Sequence, residues 1–208
     1  MDIGKMINQA IEILTKPKEA LQKLKKEEMT TQDIIIYLAI VGIPTFIGVF
    51  IGYGFVGYGF SAGGLVGWGF ALAIIQYILS IIGIIVFAFI FNALAPNFKS
   101  KQDKMQSMKL IAAAATPWLI AGIFTIYPGA SLISFLGGLY GLYILYLGLP
   151  IMMETPEEQR IVYLIFGFVI YAIVMAVIWW ITGMIWSSLI WNAVWGSTWG
   201  SYYNGFYP

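Results

Sequence analysis

The sequence has no cysteine and no histidine, and it has few charged residues of either sign. The two missing residue types exclude disulfides, thiolate or imidazole metal ligands, and histidine bases. Charged residues make up 10% of the chain, whereas a typical soluble domain contains about 25%. Hydrophobic residues make up 60%. Because so few charges cannot cover a soluble surface, the composition indicates an integral membrane protein.

The shortage of charge also limits the chemistry that the chain can perform. A net charge of +1 predicts no nucleic-acid partner, because phosphate binding needs a basic surface. The long apolar runs contain no acidic or basic side chain, which proton-coupled transport and intramembrane proteolysis normally require. The sequence therefore predicts no catalytic residue, no cofactor and no metal site, and we interpret the protein as a non-enzyme.

All charged residues fall in three segments, 1–33, 99–109 and 154–160. A charge at the centre of a bilayer costs about 2.5–3.5 kcal/mol, so transmembrane helices must lie in the charge-free runs. These runs have room for two, two and one helices of about 20 residues. The five predicted spans are 34–52, 65–95, 108–126, 131–153 and 161–183. We therefore expect an all-α, five-span membrane domain over 34–183.

The number of spans also predicts how the chain is oriented. Two spans between successive charged segments bring all three segments to the same face of the membrane. That face holds six, four and one Lys or Arg residues, and the opposite loops hold none. The positive-inside rule makes this face cytoplasmic. The N-terminus is then inside and the C-terminus outside.

Prolines and glycines in the spans are candidate hinge and packing residues. Pro44 and Pro117 each remove a backbone hydrogen bond in mid-span, which a neighbouring helix or a hydroxyl such as that of Thr45 can replace. Gly137 and Gly141 form a GxxxG pair that allows helices to approach closely. Intramolecular packing is the default for this pair, and contact between subunits is the alternative.

Two further residues complete the candidates. Pro150 lies near the inner end of the fourth predicted span, where it can act as a hinge. Gln76 lies in the second span and is most simply a hydrogen-bond partner for another helix. The alternative is that its amide lines a path for a substrate.

Residues 1–33 form a charged arm with helical periodicity. Apolar residues recur at helical spacing at Ile3, Met6, Ile7, Ala10 and Ile11. We interpret the arm as an amphipathic helix on the cytoplasmic membrane surface, where it contacts membrane lipids. The alternative is a short helix packed against the inner loops of the protein itself.

Aromatic residues mark the loops predicted to lie outside. The sequence Gly-Tyr-Gly occurs at 52–54 and 57–59, as in potassium-channel filters, but the threonine of the filter motif is missing. We interpret this stretch as an outer loop rich in glycine and tyrosine. Tryptophans recur through 184–208, which predicts an aromatic segment at the outer interface. A sixth span is the alternative for this tail.

Three stretches resemble the prokaryotic members of the Yip family, whose name comes from eukaryotic members that interact with Ypt/Rab GTPases. They are ILTKPKEALQKLKKE, LAPNFKSKQDKMQSMKLIAAAATPWLIAGIFTIYP and LYGLYILYLGLPIMMETPEEQRIVY, and they occur in the family order. The third is the most specific. The resemblance implies five spans, a cytoplasmic N-terminus and a prokaryotic cell membrane, and it implies no catalytic residue.

These observations predict a membrane-organising or trafficking-type protein. It would act through contact with lipids, with a protein partner or with further copies of itself. The alternative function is transport, as a channel or a lipid-translocating protein that uses the bent first and third spans.

Deleting residues 1–28 is expected to weaken interaction with a partner or with the membrane surface while leaving the spans folded. A pull-down or liposome assay measures the interaction. An unchanged interaction would contradict the role predicted for the arm.

Overall fold

The computed structural model describes residues 2–56 and 66–190, and every regular element in these two ranges is helical. The all-α membrane fold expected from composition is confirmed. Short 3₁₀ segments follow α5 and α6, at Ala95–Phe98 and Gly122–Ile126. The α-helices are α1 (Ile3–Thr15), α2 (Pro17–Lys26), α3 (Thr31–Val41), α4 (Ile43–Ile51), α5 (Val66–Leu94), α6 (Lys104–Ala121), α7 (Ser131–Met152) and α8 (Glu157–Ile190).

Five helical segments in the described ranges are long and apolar enough to cross a membrane, as predicted. The first begins at Thr31, three residues before the predicted start. The Thr30 backbone N–H donates to Asp33 Oδ2 at 2.9 Å, and the Asp33 N–H donates to Thr30 Oγ1 at 3.2 Å. This reciprocal cap starts the helix inside the segment assigned to the arm. The five segments are Thr31–Val56, Gly69–Phe98, Lys104–Ile126, Leu132–Met152 and Glu157–Ile185.

The last span is longer than predicted. The helix α8 continues to Ile190, beyond the boundary at 183 that separates the predicted membrane domain from the aromatic tail. Residues 191–208 lie outside the described residues. The predicted interfacial tail beyond Ile190, and the alternative of a sixth span, therefore lie outside them too.

Pro44 divides the first span into α3 and α4. It lies in the first turn of α4, where a helix needs no N–H donor. On the other side of the break, the Tyr77 hydroxyl of α5 donates to the carbonyl of Ala39. The Thr45 hydroxyl donates to the carbonyl oxygen of Leu119 in α6, at 2.5 Å. The Ile40 carbonyl, to which Pro44 cannot donate, accepts from the Gly42 N–H. Tyr77 adds a donor beside the break, whereas the Thr45 hydroxyl bonds to the third span and not to its own.

The central helix of the bundle is α6, which packs against α1 to α5 and α7. Half of the most apolar part of this span is buried inside the protein, the largest share among the five spans. The Tyr37 hydroxyl of α3 lies 2.7 Å from the Thr116 hydroxyl of α6, and both side chains are buried. This hydrogen bond joins the first and third spans inside the core.

The fifth span lies at the edge of the bundle, where α8 packs against α5 and α7. Aromatic side chains attach this span to the rest of the bundle. The Tyr163 ring stacks between Phe91 and Phe98, with centroid distances of 4.3 and 4.5 Å. The Tyr163 hydroxyl donates to the Phe91 carbonyl oxygen at 2.7 Å. The remaining faces of α8 are largely exposed and can contact lipid.

Replacing Gly48 by alanine should destabilise the bundle. The new Cβ would overlap the Gly122 carbonyl oxygen and lie 2.7 Å from Thr125 Oγ1. Overpacking of this kind costs about 1–3 kcal/mol. Thermal unfolding in detergent measures the change, and Gly183→Ala is the matched control because its Cβ would have no neighbour within 4 Å. Equal melting temperatures for the two variants would refute this close approach.

Candidate functional site

The arm folds as an antiparallel hairpin of α1 and α2. Lys23 Nζ lies 2.8 Å from Glu12 Oε1, and Lys5 pairs with Glu27, so the two helices are joined along their length. The Glu12 carboxylate, by hydrogen bonding and charge, raises the pKa of Lys23. One face of the hairpin is buried against the spans. Its buried apolar side chains are Met6, Ala10, Ile13, Ala20, Leu21 and Leu24.

Lys109 of α6 anchors the hairpin to the bundle. Its side chain is only 2% exposed, and its ammonium group donates to the carbonyl oxygens of Leu24, Lys25 and Glu27, at 2.8, 3.3 and 3.1 Å. Gln106 adds a bond from Nε2 to the Lys25 carbonyl, at 3.0 Å. These are the carbonyls that the end of α2 leaves without intrahelical partners, and the negative end of the helix dipole favours a cation there.

Lys109 is the site residue that sequence reasoning missed. Counted along the chain, it is the last charge of a hydrated loop. In the structure it lies inside α6, five residues beyond the exposed Lys104. A usable signal is the position of this lone lysine within the third span, since a charge inside a span needs a partner.

The hairpin runs alongside the bundle rather than lying across its end. Near the open end, Lys25 Nζ is 3.4 Å from Glu154 Oε1, beyond the last turn of α7. Near the tip, the Tyr140 hydroxyl in the middle of α7 donates to the Leu14 carbonyl at 2.9 Å. Fourteen residues separate Tyr140 and Glu154, which is about 20 Å along a helix. The arm therefore packs on the protein's own spans, whereas the sequence predicted a helix on the membrane surface or, as the alternative, one packed against the inner loops.

The hairpin keeps charged and apolar side chains on its outer faces. At the tip, Lys16, Lys18 and Glu19 are exposed. Along α1, a stripe with the spacing i, i+4, i+8 also remains uncovered. Its members are Ile3, Ile7 and Ile11, which are 61%, 47% and 52% exposed.

The three charged segments of the sequence meet at one end of the bundle, as the count of spans predicts. Glu154 lies between α7 and α8 in the left-handed region, with φ 53°. Its carboxylate contacts Lys25 from the arm and Lys101 from the loop before α6, at 3.4 and 3.5 Å. The Ser100 hydroxyl donates to that of Thr155 at 2.9 Å. Arm, loop and acidic turn thus form one polar junction.

The candidate packing residues lie at the contact between α6 and α7. A Cβ at Gly137 would lie 2.8 Å from the Pro117 carbonyl oxygen, and one at Gly141 would overlap that of Ala114. The glycine pair therefore packs within the bundle. Pro117 lies inside α6, and the helix continues past it to Ala121 before changing to a 3₁₀ segment. Pro150 lies in the last turn of α7.

Gln76 is placed differently from the prediction. Together with Tyr53 and Thr182 it lines a separate cavity of about 140 Å³ between α5 and α8. Among the described residues its amide makes no hydrogen bond to another helix, so the structure does not bring Gln76 together with the proline and glycine candidates.

The first Gly-Tyr-Gly motif has a packing role. Gly52–Val56 forms a π-helical turn, and a Cβ at Gly69 of α5 would lie 2.5 Å from the Gly54 Cα. This close contact joins the end of the first span to the second. The second motif, at 57–59, lies outside the described residues.

Comparison with known proteins identifies the family. A family model described as the Yip1 domain matches residues 11–181. The chain belongs to the Yip1 family. The inner membrane protein YohC of Escherichia coli K12 is 25% identical over 187 residues, covering 84% of this chain and 94% of YohC, and YohC of E. coli O6:H1 matches equally. No solved structure matches significantly.

The Yip1 match begins within α1 and ends within α8. It therefore includes α2, Lys109, Glu154 and the greater part of all five spans. The anchor and the larger part of the hairpin therefore lie within the family region, and residues 3–10 of α1 precede it.

Replacing Lys109 by methionine should loosen the hairpin. The substitution removes the ammonium donor from the carbonyls of Leu24 and Glu27, while the carbonyl of Lys25 keeps its bond from Gln106. Hydrogen bonds to charged groups contribute about 1.5–3 kcal/mol. Amide hydrogen exchange in α2 should become faster, while exchange in α7 stays the same. Lys104→Met, an exposed change on the same helix, is the control. Unaltered exchange in α2 would show that Lys109 does not hold the arm.

Proposed function

We propose that this Yip1-family protein is a non-enzymatic, membrane-organising protein that thins the lipid leaflet beside its arm. The observation that carries the proposal is the position of the hairpin tip. The hydrogen bond between Tyr140 and Leu14 holds the tip at the middle of α7, where Lys16, Lys18 and Glu19 are exposed. Surrounding charged side chains with hydrocarbon at that depth would cost free energy.

The magnitudes favour a deformed bilayer over buried charges. Three charges at the bilayer centre would cost roughly 8–10 kcal/mol on insertion scales. Adjusting bilayer thickness costs fractions of a kcal/mol per Å, so even about 10 Å of local thinning is less unfavourable. Water and lipid headgroups would therefore follow the hairpin toward its tip. The exposed isoleucines of α1 would contact the acyl chains of the displaced lipids.

The relatives and the distribution of charge both support a location for this protein. The curated relatives are named inner membrane proteins, which supports placement of this chain in a prokaryotic cell membrane. The concentration of basic residues at the polar junction supports a cytoplasmic position for that end. On this proposal the arm thins the cytoplasmic leaflet and the C-terminus lies outside.

The depth of the tip can be measured with single-cysteine variants, because the natural chain has no cysteine. A fluorescent label at Lys18→Cys in proteoliposomes should be quenched strongly by an aqueous quencher. Val169→Cys, twelve residues into α8 and 49% exposed, is the depth-matched control and should be shielded. Equal shielding at both positions would refute the thinned leaflet.

The effect on membranes can be measured by electron cryomicroscopy of the same vesicles. The natural protein should produce more strongly curved vesicles than a variant in which Lys16, Lys18 and Glu19 are all replaced by leucine. An apolar tip no longer requires headgroups and water beside it. If both proteins leave vesicle shape unchanged, membrane organisation by the hairpin is wrong.

Lipid translocation is the second candidate function. The charged tip shortens the apolar distance that a headgroup must cross beside the bundle, which is the observation that favours it. Scrambling of a fluorescent phospholipid by purified protein in liposomes tests this function. Transport no faster than in protein-free liposomes, at several lipid compositions, would exclude it.

A further inference from the structure

Four spans line an apolar slot that no described side chain fills. The slot lies between α5, α6, α7 and α8 and has a volume of about 350 Å³. Binding sites for small molecules are typically roughly 300–1,000 Å³ and mostly apolar. Along α6 its lining extends from Ile111 to Trp118. Seven residues of helix rise about 10 Å, so the slot is elongated in the direction of the spans.

Small residues keep the slot open on two sides. Ala114 and Ala115 line it from α6, while Gly138 and Gly141 line it from α7. A Cβ at Gly138 would meet only the Trp118 ring, at 3.9 Å. Gly138 thus borders free space, whereas Gly141 is pressed against the backbone of α6.

The slot opens sideways to the surface that faces lipid. Phe135, Leu139 and Phe168 line it and are 60%, 45% and 49% exposed. In a bilayer these residues contact hydrocarbon, so the slot is continuous with the lipid-facing surface. The ends of the slot do not reach the polar junction, whose residues are absent from its lining.

We propose that the slot binds one acyl chain of a bilayer lipid. An apolar cavity of this kind excludes water, and an empty one forfeits dispersion contacts along its walls. The adjoining bilayer supplies acyl chains at high concentration, and an extended chain matches the direction of the slot. This site is separate from the hairpin, so it stands or falls independently of leaflet thinning.

The test uses a phosphatidylethanolamine that carries a diazirine within one acyl chain. The protein is reconstituted into phosphatidylethanolamine–phosphatidylglycerol vesicles containing this lipid, irradiated and mapped by mass spectrometry. Crosslinks should concentrate on Ala114, Ala115 and Leu142, which face the slot. Labelling spread evenly over exposed residues such as Ile165 and Ile173 would overturn the proposal.

Gly138→Leu fills the slot with a new side chain and should reduce the slot crosslinks. Each buried methylene contributes roughly fourfold in binding, so loss of about two methylene contacts lowers labelling roughly 15-fold. Gly183→Leu adds the same side chain in open space and is the control. Equal slot labelling in both variants would refute acyl-chain binding.

A second variant covers the case in which Gly138→Leu does not fold, as judged by gel filtration. Ala115→Leu fills the slot from α6 and should reduce the slot crosslinks in the same way. The hairpin tip is not involved, so a label on Lys18→Cys should be quenched equally whether the slot is open or filled. Absence of lipid adducts on the slot residues, together with dimers trapped by a bifunctional thiol reagent at Ala115→Cys, would assign the slot to a second copy and overturn the proposal.

Discussion

Backbone carbonyl oxygens that a helix cannot satisfy by itself organise this structure. In hydrocarbon each such oxygen needs a donor from the protein, because no water is available. The break at Pro44 and the change of α6 to a 3₁₀ segment both expose carbonyls inside the bundle. Side-chain hydroxyls on other helices donate to carbonyls there and along the spans. These donors are Thr45, Tyr77, Ser107, Ser134 and Tyr163.

The same constraint explains why the arm is part of the bundle. Lys109 has no carboxylate within bonding distance among the described residues, and its charge is balanced by the carbonyl end of α2. Burying one charge thereby joins the third span to the N-terminal hairpin. The hairpin tip is then held beside the middle of α7 by Tyr140. The lipid contact proposed for the arm depends on this packing, and not on the membrane affinity of an independent surface helix.

The main features of the fold could be predicted from local properties of the chain. Charge-free runs predicted five spans because a charge in hydrocarbon is costly wherever the helices pack. Errors arose where a cap or a long-range contact decided the outcome. The capping box of Thr30 and Asp33 starts the first span earlier than predicted. Lys109 was counted as a charge of a loop, but it lies inside α6 and anchors the hairpin. Gln76 shows the converse, since a polar residue in a span was expected to bond across helices and instead borders a cavity.

The sequence by itself determined the membrane class, the number of spans and the shared face of the three charged segments. Each of these depends on the cost of placing a charge in hydrocarbon, which is a property of a segment and not of its neighbours. Only the tertiary structure decided where the arm packs and which glycines border free space. Periodicity marks Met6 and Ile7 alike as apolar, but packing buries the first and leaves the second exposed. Gly138 and Gly141 likewise differ only in what lies opposite them on α6.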